Sequence, residues 1–376
     1  MSAEASASPR VVPRSPARAL LGALVVPLLA VVTALLAGAA VIALAGLDPL
    51  LAYLGLWEGA LGSPRALSET LIWATPFIFT GLGVALAFRA GLFNVGAEGQ
   101  LAVGAVLAAW LGYALPGLAG GPLPAVLHLP LVLLGGALGG AVWGAIPGWL
   151  KARTGAHEVI NTIMLNYVAL LGVGYLLNGP LRDPSPLNVI ARTPEIALGA
   201  RLPRLTGDLR LHAGLLLALV AVAVVWWLLA RTTLGFEIRA VGANPNAARY
   251  AGMRVGRTFV VAMGLSGLLA GLAGAVDVAG LHYRHELGFS VGYGFDAITV
   301  ALLGRVHPLG VVPAALLLGA LRNGATRMQF LAGVPADLVT VLEGLILLFV
   351  SADVLVRRLY RLRGAGPPLV LTRGWQ

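Results

Sequence analysis

The sequence predicts an all-α protein, a polytopic membrane bundle of about ten transmembrane helices, and three observations carry that prediction. Apolar residues make up 58% of the 376 positions and charged residues only 11%, with a mean hydropathy of +0.87. A soluble domain carries roughly 25% charged residues, so this chain lacks the polar coat that water requires. The basic residues lie between long apolar runs rather than inside them. The 50 glycines follow no three-residue period and the apolar fraction is high, which excludes collagen-like and disordered chains.

The net charge of +10 would suggest nucleic acid in a soluble chain. Here the basic residues flank apolar runs, the pattern of membrane topology, and no nucleic-acid partner is expected. The absence of cysteine removes disulfides, thiol catalysis and cysteine metal sites. The histidines form no ligand pair, so no metal site is expected, and His282 and His285 beside Arg284 read as a solvated loop. Lys151, the only lysine, stands between Leu150 and Ala152, so the chain holds no phosphate-cradling Gly-Lys-Ser/Thr loop for ATP. No catalytic constellation or cofactor motif appears, and no enzyme chemistry is expected.

A bilayer span needs about 20 apolar residues. Residues 1–18 read as a cytoplasmic tail, with Arg10, Arg14 and Arg18 ahead of a first run from Ala19 to Leu47, too long for a signal peptide. Leu71–Phe88 is the second run. Gly99–Leu150 holds two spans broken around Pro116–Pro124, and Val159–Leu181 is the fifth. After a polar extracytoplasmic connection at 182–210 come Leu211–Ala230, Thr258–Val276, about Gly288–Gly304, about His307–Leu321 and about Leu338–Val356. The membrane domain thus covers 19–360, and 361–376 is a second cytoplasmic tail. With both termini inside, 17 of the 26 Lys and Arg fall on the cytoplasmic side, as the positive-inside rule asks. Gly136, Gly140, Gly144 and Gly148 recur every fourth residue, as do Gly267 and Gly271, marking faces where helix backbones can approach closely.

Three stretches break the apolar monotony. In the cytoplasmic loop 231–257, Asn244 suits an N-cap, Pro245 a first helical position and Gly252 a left-handed terminus, which predicts a short helix. About seven residues at 1.5 Å rise make a rod of roughly 10 Å, sized either for a partner's groove or for an ordinary capped loop. The second stretch, Gly91–Gln100, mixes glycines with Asn94, Glu98 and Gln100. Irregular backbone at membrane depth survives only where protein or a water-filled cavity surrounds it, so this segment either lines a route or sits at the interface with Glu98 pairing Arg89. In the third, Glu158, Thr162 and Asn166 fall at successive i+4 positions with Asn161 beside them, a polar stripe that either glues two helices or faces water. Among the acids near later spans, Asp277 and Asp337 fall at span ends. Asp296 and Glu343 lie within spans, where a carboxylate marks a paired or functional position.

The stretches Ala90–Gln100, His157–Tyr167 and Arg239–Gly252 resemble permease subunits of bacterial ABC importers in the branched-chain amino acid and simple sugar superfamily, nearest its nucleoside and simple-sugar branch. The resemblance covers roughly residues 19–360. It implies a multi-pass inner-membrane permease paired with a second, different permease, two ATP-binding subunits that hold ATP and magnesium, and an extracytoplasmic substrate-binding protein; the permease itself holds no cofactor. Gly235, Arg239, Gly242, Asn244, Ala247, Ala248 and Gly252 would form the region coupled to the ATPases. The substrate path would take Asn94, Glu98, Gln100, Asn161, Thr162, Asn166, Asp296 and Glu343. Nucleosides are the expected solute, with simple sugars, riboflavin or branched-chain amino acids as alternatives. An ion-coupled secondary transporter using Glu98, Asp296 or Glu343 is the rival from another class.

Overall fold

The computed structural model describes residues 16–185, 189–290, 292–335 and 337–361, so most of both expected tails lies outside the described residues. The described chain is helical almost throughout. In order it forms α1 (Pro16–Leu44), α2 (Pro49–Leu61), α3 (Pro64–Arg89), α4 (Ala97–Leu118), α5 (Ala125–Thr154), α6 (Glu158–Asn178) and α7 (Gly214–Arg231). Then follow α8 (Thr233–Ala243), α9 (Pro245–Tyr250), α10 (Val255–Asp277), α11 (Tyr293–Leu303), α12 (Pro308–Ala332), α13 (Asp337–Ser351) and α14 (Asp353–Leu359). Among the described residues, eight helices are long and apolar enough to cross a membrane: α1, α3 to α7, α10 and α12. The protein is therefore a multi-pass helical membrane bundle.

Two expected spans take a shorter form. The run about Gly288–Gly304 yields only the 11-residue α11, because Gly288 and Gly292 take positive φ of 77° and 94° and delay the helix start to Tyr293. The run about Leu338–Val356 is divided between the 15-residue α13 and α14, with Ala352 at the break. Conversely, α2 has no counterpart among the expected spans. Its start is set by Asp48, whose Oδ1 accepts from the backbone N–H of Leu50 at 2.8 Å and Leu51 at 3.3 Å, with Pro49 in the first position.

Helix α3 is the axis of the bundle, buried from Ala74 to Ala87 without interruption among α7, α10, α11 and α12. Alongside it, α5 and α10 press together along the glycine rows. A Cβ placed on Gly140 would lie 2.2 Å from the Gly267 carbonyl oxygen, and one on Gly267 would lie 2.1 Å from that of Gly140. No side chain fits between them, so contact is backbone to backbone.

The two ends of the bundle differ. At one, α8 and α9 project beside the C-terminus of α3 and the N-terminus of α12, where Arg89 Nε donates to the Val306 carbonyl at 2.8 Å. At the other, the described part of the 179–213 connection folds back over the helices. Thr193 N–H donates to the His285 carbonyl, Ile196 to that of Tyr283 and Leu202 to that of Ala279, each at 2.8 Å. This contact corrects the reading of His282 and His285 as a solvated loop. His285 is 2% exposed beneath that connection, and His282 Nδ1 lies 3.6 Å from Asp277 Oδ2. The burial forces the His285 imidazole down to about 3 and that of His212, two residues before α7, down to about 4; in both the nearby His282 adds to the depression.

Candidate functional site

The polar residues that the sequence singles out fall into three groups, and the first is closed on itself. After α3 ends, residues 90–96 run without regular structure and re-enter the bundle before α4 begins. Asn94 organises this segment: its Nδ2 donates to Gln100 Oε1 at 2.9 Å and to Ser266 Oγ on α10 at 2.8 Å. Its Oδ1 accepts from Gly96 N–H at 2.9 Å and from Gln100 Nε2 at 3.1 Å. From α6, Asn166 clamps the same stretch, accepting from Gly99 N–H and donating to the Val95 carbonyl, both at 2.8 Å. Thr162 spends its hydroxyl on the Glu158 carbonyl of its own helix, and Glu158 takes Lys151 at 2.9 Å. Asn94, Gln100, Thr162 and Asn166 are all buried within this one chain. Irregular backbone is tolerable here because protein surrounds it and side-chain amides satisfy its N–H and C=O groups. Asn161 stands apart, half-buried, with no hydrogen bond from its Nδ2 among the described residues.

Glu98 joins this group to the half-length helix α11. Its Oε2 accepts from Gly294 N–H at 2.7 Å, so a carboxylate sits at the N-terminus of α11, where the helix dipole favours it. The approach is so close that a Cβ on Gly294 would meet the Glu98 backbone nitrogen at 2.0 Å. Arg89 does not pair with Glu98; it reaches Val306 instead.

The second group is an ion triad that the sequence only partly discloses. Arg322 on α12 donates from Nη2 to Asp296 Oδ2 at 2.7 Å, and the same atom lies 2.8 Å from Glu343 Oε2 on α13. Asp296 and Glu343 are thus brought together by a cation that the run about His307–Leu321 stops one residue short of. The signal available is an arginine directly after the apolar run Leu318–Leu321, followed by Asn323 and Arg327 in the same helix.

The third group is the pair α8 and α9. Asn244 caps α9, its Oδ1 accepting from the backbone of Asn246 and Ala247 at 3.0 Å each, with Pro245 in the first position and Gly252 at φ 82° beyond the end. The two alanines face opposite ways. Ala248 is buried against Val241 and Val255, and so fastens the helix to the body. Asn244, Ala247, Arg249 and Tyr250 form an outward face, on which Tyr250 is 96% exposed. Arg239 is exposed, its Nε donating to the Gly235 carbonyl at 3.3 Å. Gly235 and Gly242 are contact points: a Cβ on Gly235 would lie 2.0 Å from the Leu228 carbonyl oxygen of α7, and one on Gly242 2.1 Å from that of Arg89. The projecting pair therefore presses directly on the start of the re-entrant segment.

A multi-pass helix bundle with a discontinuous interior and a short-helix projection between two spans is the build of a membrane permease. Residues 66–351 match the family described as branched-chain amino acid transport system / permease component, and the chain belongs to that family. It is 43% identical to the guanosine ABC transporter permease protein NupP of Bacillus subtilis over 335 residues, 89% of this chain and 94% of that protein. It is 36% identical to the glucose ABC transporter permease protein TsgB13 of Haloferax volcanii over 364 residues, 93% of each chain. It is also 36% identical to the nucleoside ABC transporter permease protein NupB of Lactococcus lactis over 340 residues, 88% of this chain and 91% of that one. No solved structure matches.

Proposed function

We propose that this chain is one of two membrane-spanning permeases of an ATP-driven importer in a bacterial inner membrane, carrying nucleosides by alternating access. The carrying observation is the projecting pair α8–α9, whose outward face is left bare beside a buried anchor at Ala248, in a chain 43% identical to a guanosine permease. In this reading that end is cytoplasmic, as are both termini, and the 182–210 connection is extracytoplasmic, where a binding protein delivers the solute. Separate ATPase subunits hold ATP and magnesium, and a second, different permease completes the pore.

Movement of α9 against the ATPase reaches the bundle interior through Gly242 and the Arg89 carbonyl. The re-entrant segment then carries it through Glu98 to α11. Gly235, Arg239, Gly242, Asn244, Ala247, Ala248 and Gly252 make up the coupling region, with Ala247 on its contact face and Ala248 on its anchored face. Of the path residues, Asp296 keeps an open side and is assigned to the wall of the route with Glu343 behind it. Asn94, Glu98, Gln100, Thr162 and Asn166 hold the segment that transmits the motion, and Asn161 flanks it.

Guanosine, the solute named for NupP, and glucose, named for TsgB13, share vicinal hydroxyls on a sugar ring, so a sugar-bearing solute is the common denominator of these relatives. The test is uptake into proteoliposomes. Guanosine import that requires the ATPase subunits and ATP is the expected result; uptake by this chain alone under a proton or sodium gradient would overturn the reading in favour of ion-coupled transport.

A further inference from the structure

The Asp296–Arg322–Glu343 triad has open hydrogen-bonding capacity, and that capacity points to a ligand. Arg322 Nε and Glu343 Oε1 are shielded from solvent and have no hydrogen-bond partner among the described residues. Glu343 is only 4% exposed, and a buried carboxylate oxygen left unmatched carries a full desolvation penalty. The side chains of Asp296 and Arg322, by contrast, keep 19% and 20% of their surface open.

Depth gives the opening its meaning. Asp296 lies seven residues before the end of α11, about 10 Å along the helix, and Arg322 lies 14 residues into α12, about 21 Å from its start. Arg322 is thus about 15 Å or more from either end of a helix long enough to cross a membrane. An ion pair at that depth is costly against lipid, so its open side faces a water-bearing route or another subunit. What the open sides of Asp296 and Arg322 call for is a hydrogen-bond donor to the carboxylate together with an acceptor for an arginine N–H. Adjacent hydroxyl groups supply both at once, because each can donate to a carboxylate and accept from a guanidinium.

We propose that Asp296 and Arg322, with Glu343 behind them, form a station in the translocation route that binds the vicinal hydroxyls of the solute's sugar ring, Arg322 being the specificity-determining residue. This rests on the proposed import of a sugar-bearing solute and adds the place where the sugar is read. A triad that only strapped three helices together would need neither an unmatched interior carboxylate oxygen nor an open side.

The experiment uses the whole transporter, with both permeases, the ATPases and the binding protein, in proteoliposomes. It measures the ratio of initial import rates for guanosine over 2′,3′-dideoxyguanosine. The binding protein is common to every preparation, so any change in the ratio between wild type and variant belongs to the permease. Asp296→Asn and Arg322→Gln are expected to lower the ratio about tenfold, the equivalent of one lost charge-assisted hydrogen bond. Asp296→Glu and Arg322→Lys, which retain the charges, give intermediate ratios and serve if the first variants assemble poorly. Glu58→Gln disturbs the other ion pair of α12, to Arg327 at 3.3 Å, and leaves the ratio at its wild-type value. A wild-type ratio in any assembled variant of Asp296 or Arg322 overturns the station. Wild-type transporter that imports glucose and not guanosine overturns the nucleoside reading instead.

Discussion

Two polar clusters lie inside this bundle, and they are built on opposite plans. Around Asn94 every amide position is spoken for: four hydrogen bonds converge on one side chain, and Asn166 closes the neighbouring backbone. Around Arg322 two carboxylates share one nitrogen, while a donor and an acceptor stay unmatched and two of the three side chains keep an open side. A closed cluster specifies a shape; an open one waits for something to complete it. The same residue classes, amides and acids at bilayer depth, thus carry different meanings that only the arrangement of their partners reveals.

The largest effect is expected from breaking the closed cluster. Asn94→Leu strands Gln100, Ser266 and the Gly96 N–H together, a loss of about 3 kcal/mol or more. It should appear as a collapse in the yield of monodisperse complex and in its thermal midpoint, and near-normal values would show that the cluster is loose. Next comes Asn166→Ala, which leaves the Gly99 N–H and the Val95 carbonyl unpaired at about 1–3 kcal/mol, read by the same melting measurement.

The faces of α9 sharpen the contrast on the outside of the bundle. Ala247→Arg should change stability by no more than about 0.5 kcal/mol yet abolish co-purification of the ATPase subunits. Ala248→Leu overpacks the anchored face and lowers stability by about 1–3 kcal/mol. Retained co-purification with Ala247→Arg would remove this face from the interface.

A pH-dependent effect concerns the buried histidines, His212 within the 179–213 connection and His285 beneath it. His285 and His212 are held at about 3 and about 4, below the roughly 6.5 of an unfolded chain. Their neutral burial contributes its full stability above about pH 6.5 and loses it as pH falls toward those values, since the unfolded chain then binds the extra protons. Corrected for the intrinsic exchange rate, protection at 192–202 and 283–290 should fall between pH 7 and pH 5, while protection in α3 stays high.

Local signals made much of this legible in advance. The capping chemistry of Asn244, Pro245 and Gly252 places α9 within a residue or two, and the four-residue glycine spacing marks the close-approach faces of α5 and α10, though not that the two meet. What escaped depends on distance in sequence or on competition between signals. The Asn94–Ser266 bond spans 172 positions, and nothing near either residue announces the other. Arg322 ended an apolar run and so read as its boundary, although the helix continues ten residues past it. Helix α2 lies outside every expected span because its 13 residues are too few to cross a bilayer, and its start rests on Asp48 and Pro49.

The glycine seam between α5 and α10 has a mechanical consequence. With carbonyl oxygens standing where a methyl group would have to pass, neither rod can ratchet along the other without driving a side chain into main chain. The two helices are held in this register along the seam. Bending during the transport cycle falls more readily at the breaks in the backbone on either side of the Glu98–Gly294 joint.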